Sequence, residues 1–180
     1  MKFFVSKKAL VEEGVKIGDN TKIWHFSHLM LSAQIGEICV IGEHVLIGKK
    51  VIVGNNVHIA NGVNIYEVAV IKDNVFIGNN VSFTNVLYPR AWRKAVEYLP
   101  IIVEENVTIN ANAVIVGGVR IGANSTVGEG AIVLHNVSSG GFVISSAAHC
   151  ICNREECKEC RERKDKNIKK YFKKYASTSA

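Results

Sequence analysis

One rhythm constrains this chain more than anything else in it. From Val11 an aliphatic or aromatic residue returns at every sixth position: Val11, Ile17, Ile23, Leu29, Ile35, Ile41, Ile47, Val53, Ile59, Ile65, Ile71, Ile77 and Phe83. Four residues after each stands a smaller or β-branched one, from Val15, Thr21, Ser27, Ala33 and Cys39 to Val81, with Leu87 the bulkiest. A period of six is neither the 3.6 of a helix nor the two-residue alternation of an ordinary strand. It suits a coil of very short strands with a turn every six residues, in which the large residue points inward and the small one fills the corner. Gly at 18, 36, 42, 48, 54 and 78, and Asn or Asp at many turn positions, take up backbone conformations that bulkier residues resist. A single coil cannot bury its own face, so coils must stack and share one core.

The rhythm breaks once. The next hexad position after Phe83 is Pro89, and the series resumes only at Val103, Ile109, Ile115, Ile121, Val127 and Val133. The 20 residues from Phe83 to Val103 are not a multiple of six, so residues 85–100, bounded at their far side by Pro100, are expected to leave the coil as an excursion loop. The expected fold is all-β, with a solenoid domain over residues 1–148. Residues 149–180 follow as a basic, cysteine-containing tail, rich in helix formers from Arg154 onward and free of Gly and Pro, which predicts a C-terminal helix.

Composition narrows the function classes. No apolar run approaches the roughly 18 residues a spanning helix needs, and no apolar leader opens the chain, so a soluble cytoplasmic protein is expected. The net charge of +6 is concentrated in residues 150–180, where ten Lys or Arg face five acids; the body is near neutral and gives no footing for nucleic acid. Cys150, Cys152, Cys157 and Cys160 supply four thiols in a short span, enough for a tetrahedral structural zinc, with reduced surface thiols as the plain alternative.

If three hexads complete a coil, residues 18 apart stack directly, roughly 4.8 Å from one another. Glu67 then lies one coil below Asn85 and Tyr66 below Thr84, beside the excursion, which makes a polar wall next to a flap where a substrate could be held. His25, Glu43, Asn61 and Asn79 form a second such column. Asn, Asp and Glu also suit these turns without any further role, which is the plain reading for Asn61 and Asn79. His25 and His28, in the run Ile23-Trp-His-Phe-Ser-His28, face outward and are candidate general bases. No His-x4-His pair is present to build a three-histidine zinc site for carbon dioxide hydration.

The hexads resemble the hexapeptide repeat of left-handed parallel β-helix proteins, in which three repeats make one triangular coil. The segments Ile23-Trp-His-Phe-Ser-His28, Ile65-Tyr-Glu67, Val75-Phe-Ile-Gly78 and Phe83-Thr-Asn-Val-Leu-Tyr-Pro-Arg90 further resemble bacterial N-acetyltransferases acting on the 3-amino group of nucleotide-linked sugars, most of all those using UDP-2-acetamido-3-amino-2,3-dideoxyglucuronate. Enzymes of dTDP-3-amino-3,6-dideoxyhexoses are near relatives of that group. The resemblance covers residues 5–145 and departs at two places: Ile144-Ser-Ser-Ala-Ala148 stands where the family closes with a GNPA-like strand, and Val68 where Gly is usual. It implies a homotrimer with active sites between subunits, acetyl-CoA along the later coils near the backbone of Ala113 and Ala131, and the sugar nucleotide near the loop. Asn85 would position the amino sugar, with Tyr66, Thr84, Arg90 and His28 binding substrate. Arg90 is the residue suited to a phosphate or carboxylate, and proton removal would fall to Glu67, to a histidine such as His25, or to the departing CoA sulfur. A second class stays open, since the same solenoid can serve as a non-catalytic assembly subunit.

Overall fold

The computed structural model describes residues 2–92 and 97–145. Within them the chain winds as a parallel β-solenoid of short strands, all of two residues except Ala69–Ile71 and Ile101–Val103. The strands stack into three sheets, one per face. The first face has eight strands from Phe4–Val5 to Phe142–Val143, the second seven from Leu10–Val11 to Ile132–Val133, and the third six from Lys16–Ile17 to Arg120–Ile121. This all-β architecture of about eight turns fits the expected left-handed β-helix. Among the described residues no helix is long and apolar enough to cross a membrane.

The hexad positions do what their spacing predicts. Each strand ends on the inward residue, and from Ile23 to Val133 every one of these is buried. Each buried aliphatic contributes on the order of 1.5–3 kcal/mol relative to exposure. From Thr21 to Ala131 the small positions are buried too, Leu87 on the excursion excepted, and where they are hydroxylated the polar atom finds a partner: Thr21 Oγ1 donates to the Gly36 carbonyl at 2.7 Å and Ser27 Oγ to that of Gly42 at 2.6 Å. Both hydroxyls also accept a backbone N–H from the next coil, of Cys39 and Val45 respectively. Burial pushes the Cys39 thiol up, which keeps it protonated and inert in the core.

The corners need the left-handed region of backbone space. Among the described residues thirteen non-glycine positions have positive φ, and seven of them are Asn, the side chain that tolerates this conformation best after the lack of one. Ile38 at 59° and Val68 at 63° are β-branched exceptions. Val68 therefore makes its turn at positive φ with a strained β-branched residue, where a glycine would be unstrained.

Phe76 pairs with Thr108 and Ile77 with Ile109, 32 residues apart where every coil below has 18. The excursion thus adds 14 residues to one coil and leaves the register of all three faces intact. Its return is stapled by charge. Glu104, immediately after the strand Ile101–Val103, is buried, and its carboxylate pairs with Lys72 on the coil below and with Arg120 Nη2 on the coil above at 2.7 Å. The Lys72 ammonium, ahead of Arg120, holds this carboxyl below the usual glutamate range. The closing coil is two residues short, because Val127 pairs with Val143 and Ile121 bridges Val137. Strand Phe142–Val143 is the last among the described residues; the predicted terminal helix and the four tail cysteines lie outside the described residues.

Two measurements check these readings. Val68→Asn should raise stability by about 1 kcal/mol in denaturant unfolding, since it removes a β-branched residue from positive φ at a half-exposed site. Because the folded-state pKa of Glu104 is depressed, its stabilisation is present above the ordinary glutamate range and is lost as pH falls through the lowered value. Glu104→Gln should therefore flatten the acid limb of the stability–pH curve and cost about 2 kcal/mol at neutral pH.

Candidate active site at the excursion corner

Strands Asn64–Ile65 and Ser82–Phe83 pair in register, which sets Tyr66 beneath Thr84 and Glu67 beneath Asn85 at the corner after the second face. The wall expected from the 18-residue spacing is therefore present. Below it Gly48 makes close stacking possible, because a Cβ there would come within 2.7 Å of the Glu67 nitrogen and the Tyr66 carbonyl carbon. Tyr66 is exposed, and Glu67, Thr84 and Asn85 are half-buried.

What separates Asn85 from other turn residues is its hydrogen bonding. At the two other corners, the residue two places after the inward aliphatic accepts the backbone N–H of its counterpart one coil below. Asn55 Oδ1 takes the N–H of Glu37 at 2.9 Å, Asn61 that of Glu43 at 2.8 Å, Asp73 that of Asn55 at 2.7 Å and Asn79 that of Asn61 at 3.0 Å. Asn61 and Asn79 are thus structural, as their plain reading has it. Asn85 occupies the equivalent place, yet among the described residues its carboxamide has no hydrogen-bond partner, and neither has the Glu67 carboxylate. Only the backbone of Asn85 is committed, its carbonyl accepting the Leu99 N–H at 2.8 Å across the neck of the excursion.

The other expected residues are distributed as follows. Thr84 Oγ1 accepts the Gly117 N–H at 3.2 Å. Arg90 is exposed on the excursion, where its Nη1 donates to the Pro89 carbonyl at 2.8 Å, and Tyr88 and Trp92 on the same segment are among the most exposed aromatic residues of the chain. His25 follows strand Lys22–Ile23, at a different corner and three coils below Asn85, which is roughly 14 Å along the axis alone. Its Nδ1 lies 3.4 Å from Glu43 Oε1, within ion-pair range but without hydrogen-bond alignment. His28 shares the second face with Ser82, also three coils below, and its Nε2 meets Glu12 Oε1 at 2.6 Å. That imidazole and then the Leu31 N–H hold the Glu12 carboxyl below its usual range, so the pair ties the first coil to the second. Within one chain neither histidine reaches the wall.

Ala113 and Ala131 are buried, so only their backbones can meet a ligand. The Ala131 N–H is donated to the Gly128 carbonyl at 3.3 Å, and the Ala113 carbonyl accepts the Ser82 N–H. A recess of about 430 Å³ does exist on the third face, lined by Ile52, Val70, Lys72, Asn74, Glu105 and Asn106 among others, and includes none of the expected residues. Sequence reasoning did not foresee Gly117, Gly118 and Leu99 at the wall. Adding the 14-residue excursion to the 18-residue step would have placed Gly117 directly above Asn85.

Two models of known families match the coils. Residues 14–49 and 100–135 match "Bacterial transferase hexapeptide (six repeats)", and residues 33–67 match "Hexapeptide repeat of succinyl-transferase". The chain is 34% identical over 89 residues to the 2,3,4,5-tetrahydropyridine-2,6-dicarboxylate N-acetyltransferase of Staphylococcus aureus, a match that covers 49% of this chain and 35% of that protein. The matched region is thus about a third of the length of such curated relatives. Among solved structures, the UDP-N-acetylglucosamine acyltransferase of Bacteroides fragilis superposes with a TM-score of 0.66 at 21% identity, over 81% of this chain and 58% of that one. PerB of Caulobacter crescentus, solved with CoA and GDP-perosamine, gives 0.51 at 16% identity, over 79% and 54%. Identities this low establish the shared solenoid and nothing finer.

Proposed function

We propose that this hexapeptide-repeat chain is an N-acetyltransferase that moves acetyl from acetyl-CoA to the 3-amino group of a nucleotide-linked amino sugar, of the UDP-linked 3-amino glucuronate type, for surface polysaccharide synthesis. The observation that carries the reading is the Asn85 carboxamide, without a hydrogen-bond partner among the described residues and held on a rigid corner at the neck of the excursion, while its counterparts at the other corners are tied into the backbone. The N-acetyltransferase name of the staphylococcal relative, and the CoA and sugar nucleotide bound to PerB, support the same chemistry.

In this reading Asn85 Oδ1 accepts a hydrogen bond from the sugar's neutral amine and aims its lone pair at the thioester carbon. The C–N bond forms as the carbonyl electrons move to oxygen, and their return breaks the C–S bond and releases CoA. The proton lost by nitrogen passes to the Glu67 carboxylate one coil below, or to the departing sulfur. A donor for the developing oxyanion comes from backbone N–H groups of an adjacent coil. Tyr66 lines the sugar site, and Arg90, on turning away from the Pro89 carbonyl, offers a bidentate fork to a phosphate or to the sugar carboxylate. His25 and His28 enter only if a neighbouring copy in a homotrimer brings its early coils to this corner.

Because the Asn85 carboxamide makes no hydrogen bond among the described residues, Asn85→Ala should leave thermal stability unchanged while lowering kcat/KM for a UDP-linked 3-amino sugar roughly 100-fold or more. A rate within twofold of wild type would remove Asn85 from the mechanism. Saturating acetyl-CoA should raise the melting temperature of the wild-type protein by mass action, and the absence of any shift would favour a scaffold role instead. A panel of UDP- and dTDP-linked 3-amino sugars identifies the acceptor.

A further inference from the structure

The corner column that contains the wall runs Lys49, Glu67, Asn85, Gly117 and His135 from coil to coil, and of these only Gly117 lacks a side chain. The lack is used. A Cβ built on Gly117 would stand 3.1 Å from the Thr84 carbonyl oxygen, 3.1 Å from Leu99 Cβ and 3.2 Å from Asn85 Cα, tighter than ordinary packing against both the departing and the returning segment. The bare Gly117 backbone therefore lies flat on the junction where the chain leaves the solenoid and where it comes back. Three hydrogen bonds fasten the same junction: Gly117 N–H to Thr84 Oγ1 at 3.2 Å, Leu99 N–H to the Asn85 carbonyl at 2.8 Å, and Gly118 N–H to the Pro100 carbonyl at 3.0 Å. Gly118 reaches Pro100 from a φ of 88°, where an L side chain is strained.

We infer that Gly117 and Thr84 are positioning residues that clamp the neck of the excursion and thereby fix the direction of the Asn85 carboxamide. Thr84 is then a fastening for the wall and not a substrate ligand. The clamp itself is a property of the fold; its catalytic consequence rests on the proposed role of Asn85. A 14-residue insertion leaves and rejoins the coil at this corner, and any displacement of its two ends would misplace an amine held by one hydrogen bond to Asn85. Fastening both ends of the loop to the next coil holds the wall in one geometry.

Hydrogen exchange at the Leu99 and Gly118 amides of the full chain, read beside acetyl-transfer kinetics, tests this. Gly117→Ala and Thr84→Val should each speed exchange at both neck amides by about fivefold or more, the loss expected when one hydrogen bond is removed, while the Ala60 amide far from the neck stays as protected as in wild type. Thr84→Ser, which keeps the acceptor oxygen, should restore protection and rate. Kinetically, kcat should fall 10-fold or more in the first two variants, with KM for acetyl-CoA within threefold of wild type. Unchanged neck exchange in both Gly117→Ala and Thr84→Val overturns the clamp whatever the enzyme's substrate. A Thr84→Val variant with a tight neck and a raised sugar KM would return Thr84 to substrate binding. If wild type acetylates no 3-amino sugar, the proposed function fails, and the exchange data still decide the clamp.

Discussion

Everything in this molecule depends on the backbone ladder between coils. The N–H of one residue donates to the carbonyl 17 positions later, as from Trp24 to Ile41, Gly42 to Ile59 and Ala60 to Ile77, the last across a full coil below the excursion. The ladder fixes the axial step, and the step fixes which side chains stack. It also demands corners at positive φ, whose N–H groups reach down to the coil beneath, as from Asn56 to the Glu37 carbonyl and Asn80 to that of Asn61. The inward aliphatics supply the free energy, but they are interchangeable within size limits; the corners and the ladder are not.

That division explains what could be read from residues alone. Inward positions repeat every six residues because the ladder makes them repeat, so the solenoid, its core from Ile23 to Val133 and the 18-residue stacking of Glu67 under Asn85 were all visible in spacing. The excursion was visible as a failure of the count at Pro89. What spacing did not show is whatever crosses the break. Gly117 over Asn85 and Glu104 between Lys72 and Arg120 are 32- and 16-residue relationships that a fixed period hides. The same columns already set His25 apart from the wall, since it stacks with Glu43, Asn61 and Asn79 at another corner.

The same logic assigns weight to Asn85. In a solenoid a polar corner residue is presumed to serve the turn, and Asn55, Asn61, Asp73 and Asn79 do so by bonding the N–H one coil down. A side chain that stands in the same place and declines that bond needs another explanation. Here the chain direction after Asn85 is set by the excursion, so the corner no longer turns inward and the carboxamide is released from the column. Inserting a loop thus frees one functional group without disturbing the register that holds it.

The insertion also has to be tolerated thermodynamically. Closing a loop of this size costs only a few kcal/mol more than a tight turn, because the entropy grows with the logarithm of length. The compensation lies at the two ends of coil five: the neck bonds at Asn85, Leu99 and Pro100 on the departing corner, and the Glu104 carboxylate between Lys72 and Arg120 at the next corner. Both sets of contacts link the interrupted coil to uninterrupted neighbours above and below, so the wall is ordered by coils that the excursion never touches. A rigid corner beside a long insertion is then a direct consequence of stacking, and it is the arrangement that the proposed acetyl transfer needs, with the aligning group fixed.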